Sequence, residues 1–454
     1  TRASIITGMY PSQHGAWSLG TKLFEDVPTL GGYLSEAGYY TSLIGKAHFQ
    51  PTAQRQGMES IECHPLLRDL DYWRGFHGPW YGFDHIEIAR MHGNEHLVGQ
   101  HYAIWLEENG LKDWQKYFDP WPTDRAIHPD YGKHGAAWDL PEQFHYSRWT
   151  AQRSIAQIEL ATNHQQPFFL WASFHDPHPP YIVPEPWASM YDPADMPIGR
   201  LVPGEHQNNP PHFSATQEPE SDHWKRTLGG EGKVHGSGSH LHTEQDLRKN
   251  MAIYYGMISL MDQQIGRILD ALDRTGQADN TLVVFTSDHG HFLGQHGLTE
   301  KAIHHYEDLL RVPFIVRHPG HVPAGRTSTA LQNLVDLAPT FLTAAELPVP
   351  GPMTGLNQLP SWQGGQPVRT YSVTENHHGN RIYHMRSYVN QRYKITVYRD
   401  GPYGELFDLQ QDPQEVRNLW NDPSAQSLKC ELLLEFMQAT LRDEPMRMPR
   451  IAGA

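Results

Sequence analysis

Short apolar segments alternate with longer amphipathic ones along most of the chain. That alternation admits few folds besides an α/β sheet covered by helices on both faces. Residues Thr29 to Ala37 read as a helix started by Pro28 and ended by Gly38, and Tyr39 to Ile44 as the strand that follows. A second helix-and-strand pair covers Glu142 to Ala161 and Phe168 to Phe174, the latter with the look of a buried strand. The longest helix is expected over Glu244 to Thr275, with Ile258, Met261, Ile265, Ile268 and Leu272 on one face and Gly276 as its stop. Thr281 to Thr286 has the continuous apolar character of a central parallel strand, Val312 to Val316 is another strand, and Asn333 to Leu347 a helix.

Two stretches break the rhythm. Residues Pro203 to His242, rich in Gly, Ser, Pro and His, read as a long surface insertion, either a lid over a site or a disordered loop, with His spacing too irregular to favour a metal tract. Pro348 to Pro360 reads as a Pro/Gly linker. Short strands at Thr370 to Val373 and Tyr393 to Tyr398 and a last helix from Ser424 to Arg442 follow it. The expected organisation is a large domain over residues 1–347 with a mixed, mostly parallel sheet, a linker over 348–360, and a small α+β domain over 361–454.

Composition narrows the function. A formal net charge of −15 argues against non-specific binding of nucleic acid or anionic membrane, so an anionic substrate would need a local basic pocket. No run of about 18 apolar residues is present, so no membrane span is expected. The two cysteines, Cys63 and Cys430, set no disulfide framework. With 30 histidines, a single His carries no functional meaning without a motif.

Three polar clusters fall where strands end, which is where open α/β sheets bind ligands. The first is Gly45-Lys46-Ala47-His48. The second is His175-Asp176-Pro177-His178-Pro179. The third is Ser287-Asp288-His289-Gly290, continued by Gly294-Gln295-His296-Gly297 and Lys301. Taken singly, each is as well explained by turns, caps and solvated cations. Taken together they are chemically coherent. Asp288 and His289 offer an oxygen and a nitrogen to a metal that would polarise an anionic ester. Lys46 and Lys301 are point cations suited to sulfate or phosphate oxygens. His48 and His178 can bind a nucleophile or protonate a leaving oxygen. A nucleophile elbow and a Walker-type loop are both missing.

The ordered set resembles the type I, formylglycine-dependent sulfatases of the alkaline-phosphatase-like superfamily. Thr1-Arg2-Ala3-Ser4-Ile5-Ile6-Thr7-Gly8 is similar to the second half of the signature Cys/Ser-x-Pro-Ser/Thr-Arg…Thr-Gly. The three clusters match the family's Gly-Lys-x-His, central His, and metal and lysine motifs. Glu405-Leu406-Phe407-Asp408-Leu409, with Asp412-Pro413 and Asn418-Leu419, is similar to its C-terminal element. The resemblance implies a hydrated formylglycine that attacks sulfur, releases the alcohol and expels sulfate by re-forming the aldehyde. It implies that Arg2 braces that nucleophile and that Lys46 and His48 contact it and the sulfate. His178 and Lys301 would contact the sulfate and the leaving oxygen, with Asp288 and His289 as metal ligands.

In the signature's register the modified residue lies three positions before Thr1. The nucleophile is therefore expected outside this chain, together with the family's N-terminal Asp pair, and the fragment alone is expected to be inactive. His289 stands where many members have Asn. Calcium remains the first expectation, with manganese or zinc as alternatives.

The polar run Glu375 to Arg381, specifically Asn376, His377, His378 and Arg381, together with His296, is expected to bind substrate, with a solvated loop as the plain alternative for the run. His92, His96, His101, Trp80 and Trp105 belong to an insertion that would wall the pocket, with core packing as the alternative for the two Trp. The expected reaction is hydrolysis of a sulfate monoester on a saccharide or small alcohol, after activation by a formylglycine-generating or sulfatase-maturating enzyme, with a periplasmic or extracellular address favoured by the resemblance. The alternatives are a phosphonate monoester or phosphodiester hydrolase and an inactive binding homologue.

Overall fold

The computed structural model describes all residues except 19, 91–96, 119–134, 200, 219–220, 224–241, 302, 379–382 and 446–454, and the side chain of His378. The chain forms two compact units, each assembled from separated stretches of sequence: residues 31–198 with 242–281, and residues 1–30 with 199–241 and 282–454.

In the first unit, strand Tyr40–Gly45 lies between His85–Ile88 and Phe168–Ser173, parallel to both. Helix Tyr146–Asn163 connects into the last of these strands and packs on helix Glu244–Arg274. Thr243 and Asp246 form a reciprocal capping box at the start of the longer helix, and Gly276 follows its end with φ +70°. Ile258, Met261, Ile265, Ile268 and Leu272 share one face of that helix, Leu272 buried and the others half-buried, while Met251, Ala252, Ile253, Met257 and Leu260 are buried as well. Phe168–Ala172 is likewise half-buried rather than buried. It pairs with Tyr40–Gly45 along one edge, and no described strand pairs with the other. An aromatic core of Tyr102, Trp105, Trp114, Phe118, Trp138 and Trp149 fills the rest of the unit, so Trp105 serves packing.

Gly45 ends the central strand with φ +107°, and a Cβ there would lie 1.9 Å from the carbonyl oxygen of Ser173. Only glycine lets the two strands close at this point, where Lys46 N–H donates to Ser173 O at 2.9 Å.

In the second unit, Val283–Thr286 pairs with Phe314–Arg317. The pairing is antiparallel, contrary to the central parallel strand expected for the first of these. Its apolar run matches a parallel strand, but composition does not encode strand direction. A four-stranded antiparallel sheet follows, in the order Ser372–His378, Tyr383–Val389, Tyr393–Tyr398, Gly404–Asp408. Helix Gln426–Arg442 covers it through Leu432, Phe436 and Ala439, against Tyr388, Ile395 and Leu406.

The N-terminal arm belongs to the same unit. Helix Arg2–Thr7 ends at Gly8 with φ +64°, the Gly8 carbonyl accepts from Thr354 and Gly355 N–H at 2.9 and 3.0 Å, and Tyr10 enters the core under the sheet. The whole is a mixed α/β protein with a C-terminal α+β portion.

Candidate active site

Four of the expected residues converge in the second unit. Strand Val283–Thr286 delivers Asp288 and His289 just past its end. Helix Arg2–Thr7 presents Arg2 so that its guanidinium donates to Oδ2 of Asp288. The loop after Glu300 brings Lys301, whose Nζ lies 3.3 Å from Nε2 of His289.

The tautomer of His289 follows from its surroundings. Nδ1 lies 2.7 Å from the Gly290 carbonyl, which can only accept, so Nδ1 carries the proton and Nε2 the lone pair. Burial pushes this imidazole down to about 4, against the pull of Asp288, so it is neutral at physiological pH. Burial also lowers Lys301, with Asp288 opposing. Nε2 of His289 and Oδ1 of Asp288 are 3.6 Å apart. A neutral imidazole lone pair beside an ionised carboxylate at that spacing fits two neighbouring positions around a divalent ion. Among the described residues, these two are joined by no third His, Cys, Asp or Glu at metal-binding distance.

His296 has a different environment from the one expected. It adopts φ +55° in the turn after Gly294 and is buried, with its ring stacked on Tyr306 at 3.6 Å. Nδ1 lies 3.5 Å from Glu205 and Nε2 3.6 Å from Asp308, distances of ion pairs rather than hydrogen bonds. Burial opposes its charge, but the two carboxylates outweigh burial and push it up to about 9. It stands as an imidazolium between two anions. Nothing in its motif announced Glu205, which lies in the insertion read as a lid or loop. The described part of that stretch is short helical turns, Glu205–Asn208 and Pro211–Ala215.

In the first unit, Lys46 and His48 follow the central strand and His178 follows its parallel neighbour. Lys46 is buried, and its backbone carbonyl accepts from Ser173 Oγ at 2.7 Å. His48 adopts φ +62°, and its N–H donates to Glu62 at 2.7 Å, as does that of Gln50. Glu62, which shapes this turn, carried no signal in the sequence. His178 Nδ1 donates to Pro179 O at 2.6 Å, so Nε2 is the atom at which this ring gains a second proton.

The polar run of the C-terminal portion is not a loop after a strand: Asn376 and His377 lie within strand Ser372–His378. Their polarity is answered across the ladder, where Glu375 faces Arg386 and His377 faces His384. Arg386 pairs with Glu375 at 2.8 Å, and the His377 ring packs between His384 and Trp17. Arg381 and the side chain of His378 lie outside the described residues, as do His92 and His96. Trp80 and His101 are buried.

A family model described as "Sulfatase" matches residues 1–347, more than half of the chain. The chain belongs to the sulfatase family. A second model, described as the C-terminal part of N-sulphoglucosamine sulphohydrolase, matches residues 294–442 of this sulfatase. It is 27% identical to an arylsulfatase of Clostridium perfringens over 93% of its own length and 80% of the relative's. It is 28% identical to a multifunctional alkaline phosphatase superfamily protein, PehA, of Trinickia caryophylli, over 94% and 82%. The phosphonate monoester hydrolase of Agrobacterium radiobacter shares its fold, with a TM-score of 0.75, 24% identity, and coverage of 98% of this chain and 86% of that one. The sulfatase is thus an alkaline-phosphatase-like member of a family of sulfuric ester hydrolases, which generally use a divalent metal and formylglycine. No helix of its described residues is long and apolar enough to cross a membrane.

Proposed function

We propose that this sulfatase hydrolyses a sulfate monoester on a saccharide, with a formylglycine nucleophile and calcium as its ion. The observation that carries the reading is the meeting of Arg2, Asp288, His289 and Lys301, which sets two cations beside a neutral-imidazole and carboxylate pair. Such a group can hold an oxyanion and a hard cation together. A divalent ion bound by Asp288 and His289 supplies electrostatic stabilisation of the ester's oxygens, and formylglycine supplies the attacking oxygen.

The chain's own residues do the rest. Lys301, kept from water by burial, neutralises a non-bridging sulfate oxygen. Arg2 holds the Asp288 carboxylate ionised and oriented. Lys46, His48 and His178 are assigned on their motifs, the first two to nucleophile and sulfate, His178 to protonation of the leaving oxygen through Nε2. The saccharide class is supported by the C-terminal match to an N-sulphoglucosamine sulphohydrolase model. Asn376, His377, His378 and Arg381 are the candidate contacts to sugar hydroxyls or a second anionic group. His296 is assigned to supporting the metal loop. Activation by a formylglycine-generating or sulfatase-maturating enzyme and export from the cytoplasm belong to the same proposal.

The likeness to a multifunctional alkaline phosphatase superfamily protein favours a second reading, a phosphonate monoester or phosphodiester hydrolase. Matched aryl sulfate and aryl phosphonate esters separate the two when assayed with the formylglycine-bearing enzyme, followed by sulfated glucosamines. A larger kcat/KM for the sulfate supports the proposal. A far larger value for the phosphonate replaces it with the second reading, and binding without turnover of either leaves an inactive homologue.

A further inference from the structure

Strand His85–Ile88 is an edge strand of the parallel sheet, and its alternation puts His85 and Glu87 on one face. The preceding segment runs back along this edge, where Ile86 N–H donates to the carbonyl of His77 at 2.8 Å. That contact lays the exposed His77 ring parallel to the His85 ring, with centroids 5.3 Å apart and planes 5° from parallel. Nε2 of His85 lies 3.1 Å from Oε1 of Glu87. One ligand atom from each of His77, His85 and Glu87 lies within 4.8 Å of the other two. Among the described residues this is the only group of three metal-ligating side chains so close.

The surroundings hold the group in a binding-competent form. Glu87 is buried and receives two hydrogen bonds from Arg153, at 2.6 and 2.7 Å. These two hydrogen bonds fix the carboxylate beside the His85 ring. His101 backs the His77 ring at a centroid distance of 4.6 Å and is no ligand. Its Nδ1 accepts from Ile88 N–H at 3.0 Å, and its Nε2 donates to Phe76 O at 3.0 Å. It is a fixed wall. Besides the three ligands, the charged and titratable groups at the cluster among the described residues include Arg153, the neutral His101, Tyr40 beside Glu87 and Glu108 toward Arg153.

We propose that His77, His85 and Glu87 bind a borderline divalent transition-metal ion, with zinc as the reference. Two imidazole nitrogens and one carboxylate oxygen are a donor set that suits zinc, nickel or copper and not calcium. Tetrahedral zinc with ligands at about 2.0–2.2 Å places its donor atoms about 3.3–3.6 Å apart. The His85–Glu87 spacing of 3.1 Å is within a few tenths of an ångström of that range, and a His77 ring nitrogen lies within 4.8 Å of both. The bound ion would fasten the segment around His77 to the open edge of the sheet. Arg153 keeps the carboxylate in place but adds an opposing positive charge, so this is a structural clip of moderate affinity. The site rests on none of the residues assigned to sulfate ester hydrolysis.

Zinc titration of the metal-stripped, tag-free protein tests it, by calorimetry or competition with a chromogenic chelator. An Asp288→Asn background removes binding at the other candidate metal position. The expected result is one zinc equivalent that calcium does not displace. His77→Ala and His85→Ala should each weaken it at least about tenfold. Zinc should also raise the Tm of the parent and not of His77→Ala, a change at an exposed position that leaves the fold intact. Failure to bind zinc, or equal zinc binding by the parent and both histidine variants, would overturn the proposal and reduce the group to a hydrogen-bonded pair with a stacked ring.

Discussion

Nζ of Lys301 faces Nε2 of His289 across 3.3 Å, and the proton of that imidazole is held on the far nitrogen by the Gly290 carbonyl. The ammonium can donate to that lone pair, and the Asp288 carboxylate lies 3.6 Å from the same nitrogen, so cation, imidazole and carboxylate form one group. Lys301→Ala is therefore expected to lower kcat/KM of the formylglycine-bearing enzyme by about 10²–10³ with little change in Tm. Lys301→Arg should recover little, because the planar guanidinium does not replace a compact ammonium. Steady-state kinetics on a sulfate ester, beside a melting curve, decides it. Near-normal turnover in the alanine variant would remove Lys301 from the site.

Asp288 is held by Arg2 and sits beside His289, so Asp288→Asn should cost both a ligand and the counter-charge of the two cations. Bound calcium should fall below one equivalent by elemental analysis, and kcat/KM by at least about a thousandfold. Retention of a full calcium equivalent would mean that the ion is held by other residues.

The buried imidazolium of His296 makes stability depend on pH. Its folded pKa, about 9, exceeds the ordinary 6.5, so the folded state holds the proton more tightly. The stabilisation is complete below pH 6.5 and disappears as pH rises through about 9. It is on the order of 3 kcal/mol. Urea unfolding at pH 6 and pH 9.5 should show this loss in the parent. His296→Gln should be less stable at pH 6 and should lack that part of the pH dependence. Parallel curves for the two proteins would show that the Glu205–His296–Asp308 arrangement is not charged as described.

Arg369 and Asp336 form a doubly hydrogen-bonded ion pair almost without solvent exposure, and Asp336 also accepts from Leu356 N–H and from the Gln358 side chain, both at 2.8 Å. Arg369→Ala leaves a buried carboxylate without its cation and should cost about 3–5 kcal/mol in chemical denaturation. A loss below about 1 kcal/mol would contradict the burial of the pair.

Gly45→Ala forces a side chain into the Ser173 carbonyl at a left-handed φ, so the strand end must shift. A loss of about 3 kcal/mol or more is expected in equilibrium unfolding, with Lys46 and His48 displaced. A variant of unchanged stability would show that the two strands part here more readily than their hydrogen bonds imply.

Much of the fold was legible because its signals are local. The helix Glu244–Arg274 is framed by Thr243, Asp246 and Gly276, all within a turn of its ends. The strands feeding Lys46 and Asp288 are short apolar runs followed by polar residues. What escaped is non-local. The antiparallel partner of Val283–Thr286 cannot be read from either strand alone. Strand Tyr383–Val389 escaped because His384 and Arg386 look like loop residues until Glu375 and His377 are set opposite them. At the candidate site, Asp288, His289 and Lys301 could be named from chemistry and spacing. Glu205 and Glu62, which hold His296 and the turn at His48, could not, since a lone glutamate has no pattern.

The arm bearing Arg2 has a consequence for how the molecule is made. Its docking partners, Thr354, Gly355 and the Glu375 that accepts from Ser12, come roughly 350 residues later. In synthesis this stretch precedes those partners by several hundred residues, so its docking has to wait until they have been translated. The arm that carries Arg2 is thus made long before the segments that dock it, and is held back from folding by the order of synthesis.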